Sequence, residues 1–489
     1  MGVVLMRRPR NFSLPIAFAC ASLALAQPRA ERESPQRLVK LSVAAGNAQG
    51  EPVTDLQPAD LQIREDGKVR PVVFFRFAGS KRPIEPPAAG EFVNRPAPTP
   101  TLILLDRWNE RTGTAASAWF SIVAALQHME SVDRVYIYYL TSQGDLFPVH
   151  PLPAPGTDLR AAPDPSPADL RAKLDEAVHK LQGFRNIDAQ DPVLRANTTF
   201  QALNALGSQM ASIAGRKNLI WVTHGIPLLT SLVTTGEWAD FTPQVRNLSA
   251  AAAESQIAIY TVDQSAAGAG ADPSGSARLA LQMFSGLTGG RWYPSDTAER
   301  AIADSIADGR ANYRVAYYSP LREKDRKEHK IKVEAARKGI RVRTRESYFG
   351  QAMEPEPEAL EEAAFMSGRS SPFDAAEIGL RVRVSRPAGK PLHFNIRVDP
   401  ADVLLERRGE MYQGRLGVML AFYSEGLPKG VSAPIHVDLG LTKEQLSNIL
   451  KEGILIPTDA PVSDEIQRVR VMVFDQGIQG LGSVTFPVK

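Results

Sequence analysis

The chain has 489 residues, room for two to four hydrophobic cores at the usual size of roughly 100–200 residues per domain. Hydrophobic residues at 43% and charged residues at 23% are ordinary globular values, which excludes wholesale disorder and fibrous architecture. Of 57 basic residues, Arg7, Arg8 and Arg10 lie in a leader without acids; the 54 that remain equal the 54 acidic residues, and a neutral body argues against bulk electrostatic capture of nucleic acid.

Residues 1–26 join that basic start to an apolar stretch from Leu14 to Ala26 that closes on Ala24-Leu25-Ala26 before Gln27, the pattern of a secretory signal peptide. The stretch is shorter than the roughly 20 residues needed to span a bilayer, and no later segment is long and apolar enough, so the mature chain is expected to be exported without a transmembrane segment. Periplasm, cell surface and medium are the compartments this allows. Cys20, the single cysteine, sits in the leader and leaves no disulfide or thiolate cluster for the rest.

From residue 27 to 80 the pattern is of short strands: Leu38 to Val43 alternates, Leu61 to Glu65 alternates again before the Asp66-Gly67 turn, and Val72 to Phe77 follows. A proline-rich linker is expected over 81–100. Thr101 to Leu105 is a continuous apolar run ending at Asp106, as in a strand buried on both faces of a parallel sheet. A helix over Thr114 to Met129 comes next, with Trp119, Phe120, Val123 and Leu126 on its apolar side.

Alternation then continues through strand Arg134 to Leu140, short strand Asp145 to Val149, helices Pro167 to Leu181 and Thr199 to Ile213, strand Leu219 to Thr223, helix Gln244 to Ser255 and strand Ile257 to Val262. Helices Ala277 to Leu287 and Ala298 to Ala307 and strand Tyr313 to Tyr318 complete it. The fold class this implies is α/β, a doubly wound, mostly parallel sheet over 101–350 with helices on both faces. An acidic linker is expected over 351–373. Alternating strands from Glu377 to Val488, with one helical stretch at Thr442 to Lys451, make 374–489 a C-terminal β-sandwich.

Gly50-Glu51-Pro52-Val53-Thr54-Asp55-Leu56, Asp60 to Gly67, Leu102-Ile103-Leu104-Leu105-Asp106, Gly215-Arg216-Lys217-Asn218-Leu219-Ile220-Trp221-Val222, Ile257 to Asp263, Thr288-Gly289-Gly290 and Tyr313 to Pro320 occur in that order. Together they resemble the VWFA-related Acidobacterial domain proteins, exported bacterial proteins with a von Willebrand factor type A-like domain. The likeness runs from about residue 37 to 348, and the tail from Arg468 to Asp475 with Gly480 to Ser483 is similar to the same proteins. It implies a Rossmann-like sheet whose strands ending at Asp106 and Thr223 are neighbours, with ligands at their carboxyl ends.

Metal-binding members of that wider group use an Asp-x-Ser-x-Ser loop, a Thr and a further Asp, oxygens suited to Mg²⁺. In this chain the loop reads Asp106-Arg107-Trp108-Asn109-Glu110, the threonine is Thr198 or Thr199, and His224 replaces the last Asp. Asp106, Glu110, Thr198 and His224 are therefore the candidates for a divalent cation, Mg, Mn or Zn, against the reading that no cofactor is bound and the site is degenerate. The ligand-binding candidates are Asp106, Trp108, Glu110, Thr198, Thr199 and His224. Trp108 and Trp238, in loops, are candidate anchors for a partner, and Trp221 is a core residue.

No dinucleotide, Walker, Gly-x-Ser-x-Gly or His-Glu-x-x-His motif is present. Thr288-Gly289-Gly290 reads as a helix-to-strand turn in preference to an anion cradle, and Arg216-Lys217 as a solvated start to the central strand. The expectation is an exported, non-catalytic interaction or adhesion protein whose partner is a protein or cell-envelope ligand, with no nucleic acid. Two rivals stand beside it: a hydrolase using His224 with Asp106, Asp263 or a metal, and a structural envelope protein.

Overall fold

Side-chain patterning and register are read from a computed structural model that describes residues 36–79, 87–94, 98–109, 134–154, 165–181, 191–231, 237–264, 275–294, 297–320, 327–350, 355–386 and 390–488. The expected signal peptide, the helix expected over Thr114 to Met129 and Glu110 lie outside these residues. Among them, no helix is long and apolar enough to cross a membrane.

Six strands form one largely parallel sheet. Its order runs Trp292–Tyr293, Ile257–Asp263, Lys217–Thr223, Thr101–Asp106, Val135–Leu140 and Leu146–His150, with only the last strand antiparallel to its neighbour. Every residue of Thr101–Asp106, Val135–Leu140, Lys217–Thr223 and Ile257–Asp263 is buried. These strands are apolar runs because both faces are covered. One face packs on helices Pro192–Ala211, Thr242–Glu254 and Ser276–Thr288 through Phe200, Leu203, Val245 and Phe284. The other packs on Pro167–Leu181 and Ala298–Arg310 through Leu170, Leu174, Ala301 and Ile302.

That sheet does not set the class of the chain, and the expectation of a doubly wound α/β fold of the von Willebrand A or Rossmann-like type is corrected here. Strand outweighs helix, 42% to 28%, and the other five sheets among the described residues are antiparallel throughout. The physical reason is that the N-terminal strands, expected as a small segment, share a core of their own with Tyr313 to Tyr318, expected to complete the α/β alternation, while the C-terminal strands add a further β core. Strands such as Leu61–Glu65 and Ile454–Ala460 alternate buried and exposed positions, as one-sided antiparallel strands do.

Two four-stranded sheets share the first of these cores. Gln36–Gly46 pairs with Asn312–Pro320 over nine residues, and Leu61–Glu65 pairs with Glu328–Ala335. Val39, Leu41, Ile63, Tyr313, Tyr317 and Tyr348 fill the space between them. The second core lies between the sheet containing Leu380–Ser385 and Leu392–Val398 and the sheet containing Met411–Ser424, Arg468–Asp475 and Gly480–Pro487.

The described parts of the two linker stretches pack on the cores. Within the proline-rich 81–100 stretch, strand Glu91–Val93 pairs with Leu380–Ser385. Asn94 then donates to the carbonyls of Ala375 and Ile378, each at 2.8 Å, and accepts from Leu380 N–H at 2.7 Å. Helix Pro357–Ser370, within the acidic 351–373 stretch, buries Phe365 against Phe474.

Helix Ser276–Thr288 stops at Gly289, which adopts φ 80° as a left-handed cap. A Cβ on Gly290 would sit 2.0 Å from the Ile259 carbonyl oxygen, so the backbone can pass there only without a side chain. Thr288-Gly289-Gly290 is thus a turn. Arg216 and Lys217, expected to be solvated, are instead 6% and 2% exposed.

Candidate functional site

Asp106 ends its strand beside Thr223, where a closed polar knot forms from Asn109, Trp221, Thr223 and, of the residues expected to bind a ligand, Thr199. Its Oδ2 accepts from Thr223 Oγ1 at 2.7 Å, Asn109 Nδ2 at 2.7 Å and Trp221 Nε1 at 3.1 Å; Oδ1 accepts from Asn109 N–H at 3.1 Å. Burial pushes the Asp106 carboxyl above its ordinary value, and these donors pull it back down.

Asn109 is the pin. Its amide also donates to Thr199 Oγ1 at 2.7 Å, and Thr199 in turn donates to the Arg195 carbonyl at 2.8 Å. Arg195 holds the loop from the other side, donating to the Trp108 carbonyl at 2.7 Å while accepting from Trp108 Nε1 at 3.1 Å. Helix Pro192–Ala211, which carries Arg195, Thr198 and Thr199, starts at an Asp191 cap whose carboxylate accepts from Val193 and Leu194 N–H. Asn109 drew no attention in the sequence because an amide is not a cation ligand of choice; its position between Asp106 and Glu110 in the loop was the available signal.

The other candidates fall as follows. Trp108, expected to offer its ring to a partner, is 7% exposed and packs in the core with Phe200 and Trp221. Thr198 is half-buried and faces Gly144, while Thr199 is fully buried. His224 follows Thr223 and is buried; Asp263, the register partner of Thr223 on the next strand, pairs with Arg278 at 3.4 Å. Glu110 lies outside the described residues.

A divalent cation here would need oxygen lone pairs that point at a common centre. Both Asp106 oxygens are engaged by protein donors, and Thr199 Oγ1 is held between Asn109 and Arg195. Among the described residues no group of three or more His, Cys, Asp or Glu is placed to hold a metal. The side chains of the knot do not fit an Mg, Mn or Zn site.

What the same sheet edge does expose is a hairpin. Strand Lys217–Thr223 leads through buried Ile226 and Leu228 into Leu229–Ser231, which pairs with Trp238–Asp240; Phe241 N–H donates to the Leu228 carbonyl at 2.7 Å at its base. Register places Leu229 opposite Asp240 and Ser231 opposite Trp238, so these four positions share one face. Thr230 and Ala239 share the other, where Ala239 packs on the sheet's core. The outward face carries Trp238 at 70% exposure and Leu229 at 51%. Trp238 was legible as a loop aromatic; Leu229 was not, because its partner strand is too short to show period-two alternation.

No family model matches the chain, and no curated protein matches it. Among solved structures it is similar to the pilus adhesin SpaC of Lactobacillus rhamnosus GG in its open conformation, at 10% identity and a TM-score of 0.28, over 90% of this chain. The chain spans 57% of the length of that adhesin's chain. A TM-score this low identifies no common fold.

Proposed function

We propose that this protein is an exported, non-catalytic binding module that recognises a protein partner through the edge of its six-stranded sheet, with the contact centred on the Leu229 and Trp238 hairpin. The observation that carries the reading is the outward tryptophan: a ring 70% exposed on a hairpin whose opposite face is anchored in the core. Aromatic anchors of this kind contribute much of the binding energy at protein interfaces because they bury a large apolar area at low conformational cost. The polar residues next to it support binding over chemistry, since Asp106 is committed to four donors and offers no free base to a substrate. Export rests on the basic and apolar leader that ends at Ala26.

A photoreactive residue placed at position 240 of the full chain in its host, on the same face as Trp238 and leaving that ring in place, is expected to give a discrete protein adduct. The same group at Leu455, another exposed apolar position, is expected to give none. Equal adducts from both positions, or an adduct from position 240 that survives both Trp238→Ala and Leu229→Ser, would overturn the assignment of this face.

A further inference from the structure

A small, half-open cavity of about 40 Å³ lies where the first β core, the six-stranded sheet and the C-terminal sheets meet. Lys40, Arg216, Arg314 and Arg345 line it, with Glu377 as the one carboxylate. Four cations face one anion in a place water reaches poorly. Burying unmatched charge of this kind is costly unless a counter-charge is present.

The bonds inside the protein supply it only in part. Arg216, 6% exposed, spends its guanidinium on neutral partners: Asn218 at 3.2 Å, Ser42 at 3.0 Å and Tyr260 at 2.8 Å. Arg314 takes up Glu377, at 3.7 Å from its carboxylate. Lys40 donates to the Gln479 carbonyl at 3.2 Å, and Arg345 donates through Nη2 to the Lys40 carbonyl at 3.2 Å. Arg345 Nη1 reaches Glu254 at 3.3 Å, a carboxylate 45% exposed that it shares with Arg37. Two buried donors in the lining, Arg345 Nε and Thr344 Oγ1, have no hydrogen-bond partner, and the Arg345 side chain is nine-tenths buried.

We infer that this cavity is a binding site for a small inorganic anion, held by Lys40, Arg216, Arg314, Arg345 and Thr344. Size narrows the class. A water needs about 10–15 Å³ in this measure, so the space admits a chloride or one small oxyanion and excludes nucleotides and sugars. The anion offsets the excess positive charge and accepts from the two stranded donors. Because its ligands come from Lys40, Arg314, Thr344 and Arg345 of the first β layer and Arg216 before the central strand, its occupancy ties these two layers together. The inference is independent of the hairpin and stands or falls without it.

The test uses the full mature chain in a gluconate buffer, an anion too large for the cavity, at constant ionic strength. Chloride, sulfate and phosphate are titrated separately, with the melting temperature and isothermal calorimetry as readouts. At least one is expected to raise the melting temperature saturably, by roughly 1–2 °C at about ten times its dissociation constant, and to bind at one per chain. Saturation by chloride alone assigns a monatomic site, and by sulfate or phosphate an oxyanion site. Arg345→Gln is expected to weaken binding by about ten-fold or more, the loss of one charged hydrogen bond, whereas exposed Arg341→Gln leaves it unchanged. A linear, unsaturable rise shared by all three anions, or saturable binding untouched by Arg345→Gln, overturns the site. Should Arg345→Gln fail to fold, zero stoichiometry in calorimetry of the native chain overturns it equally.

Discussion

At Asp106 two forces oppose one another: loss of solvent raises the carboxyl's proton affinity, and four donors lower it. Removing the side chain leaves the buried Trp221 Nε1–H, Thr223 hydroxyl and Asn109 amide without their acceptor. Asp106→Ala is therefore expected to cost about 3 kcal/mol, read as a lower urea midpoint with unchanged slope. Asp475 shows the same balance, with burial again outweighing the donors. It is fully buried and accepts from Leu404, Gly477 and Ile478 N–H at 2.8, 3.1 and 3.2 Å, yet burial dominates and lifts it from 3.8 to about 6. Its protonated form is the one the fold favours, so its contribution is full below pH 3.8 and is lost as pH rises through about 6. The loss amounts to roughly 3 kcal/mol. Asp475→Asn, which cannot ionise, should flatten the stability profile across that window; an unchanged profile in denaturant melts from pH 3.8 to 6 would show that the carboxyl is not responsible.

Elements divide by whether their signal is local. Strand Thr101–Asp106, helix Ser276–Thr288 and strand Ile257–Asp263 are recoverable from apolar runs and turn residues to within a residue or so at each end. Their class membership is not, because fold class depends on what the remaining strands pair with. Leu38 to Val43 alternates visibly, yet nothing local says that it lies along Tyr313 to Tyr318. The same limit hid the site: Asp106, Thr199 and Trp221 are individually conspicuous, but the Asn109 amide that closes them into a knot is known only from distances. On the hairpin, exposure and burial separate two tryptophans that composition treats alike. Trp238→Ala should change stability by less than about 0.5 kcal/mol. Trp221→Ala, at 0% exposure and edge-on to Phe284 at 5.5 Å, should cost about 3–5 kcal/mol. Thermal melts of both variants check the contrast.

Over the whole molecule the cores interleave. The chain starts in one β layer, lends strand Glu91–Val93 to the C-terminal sheets, builds the parallel sheet, returns to the first layer at Asn312–Pro320 and only then completes the C-terminal core. Ion pairs cross the seams: Arg76 contacts Asp399 at 3.0 Å and Asp402 at 2.7 Å, and Tyr318 donates to Glu406 at 2.6 Å. A fragment of residues 98–350 alone would leave the Asn312–Pro320 strand without either neighbour, with Tyr313, Val315 and Tyr317 uncovered. Such a fragment is expected to associate on size-exclusion chromatography and to melt without a cooperative transition, whereas residues 36–489 should melt sharply. A monodisperse, cooperatively melting 98–350 fragment would show that the first β layer is dispensable.

The pairing of Gln36–Gly46 with Asn312–Pro320 also sets a timetable. The first strand leaves the ribosome long before its partner exists, and at about 5–20 residues per second the wait is on the order of 10–50 s. For that interval Val39, Leu41 and Val43 have no layer to enter. Until Tyr313, Val315 and Tyr317 arrive, the first strand cannot close its layer, so this long-range pairing is a late step that commits the chain to its fold.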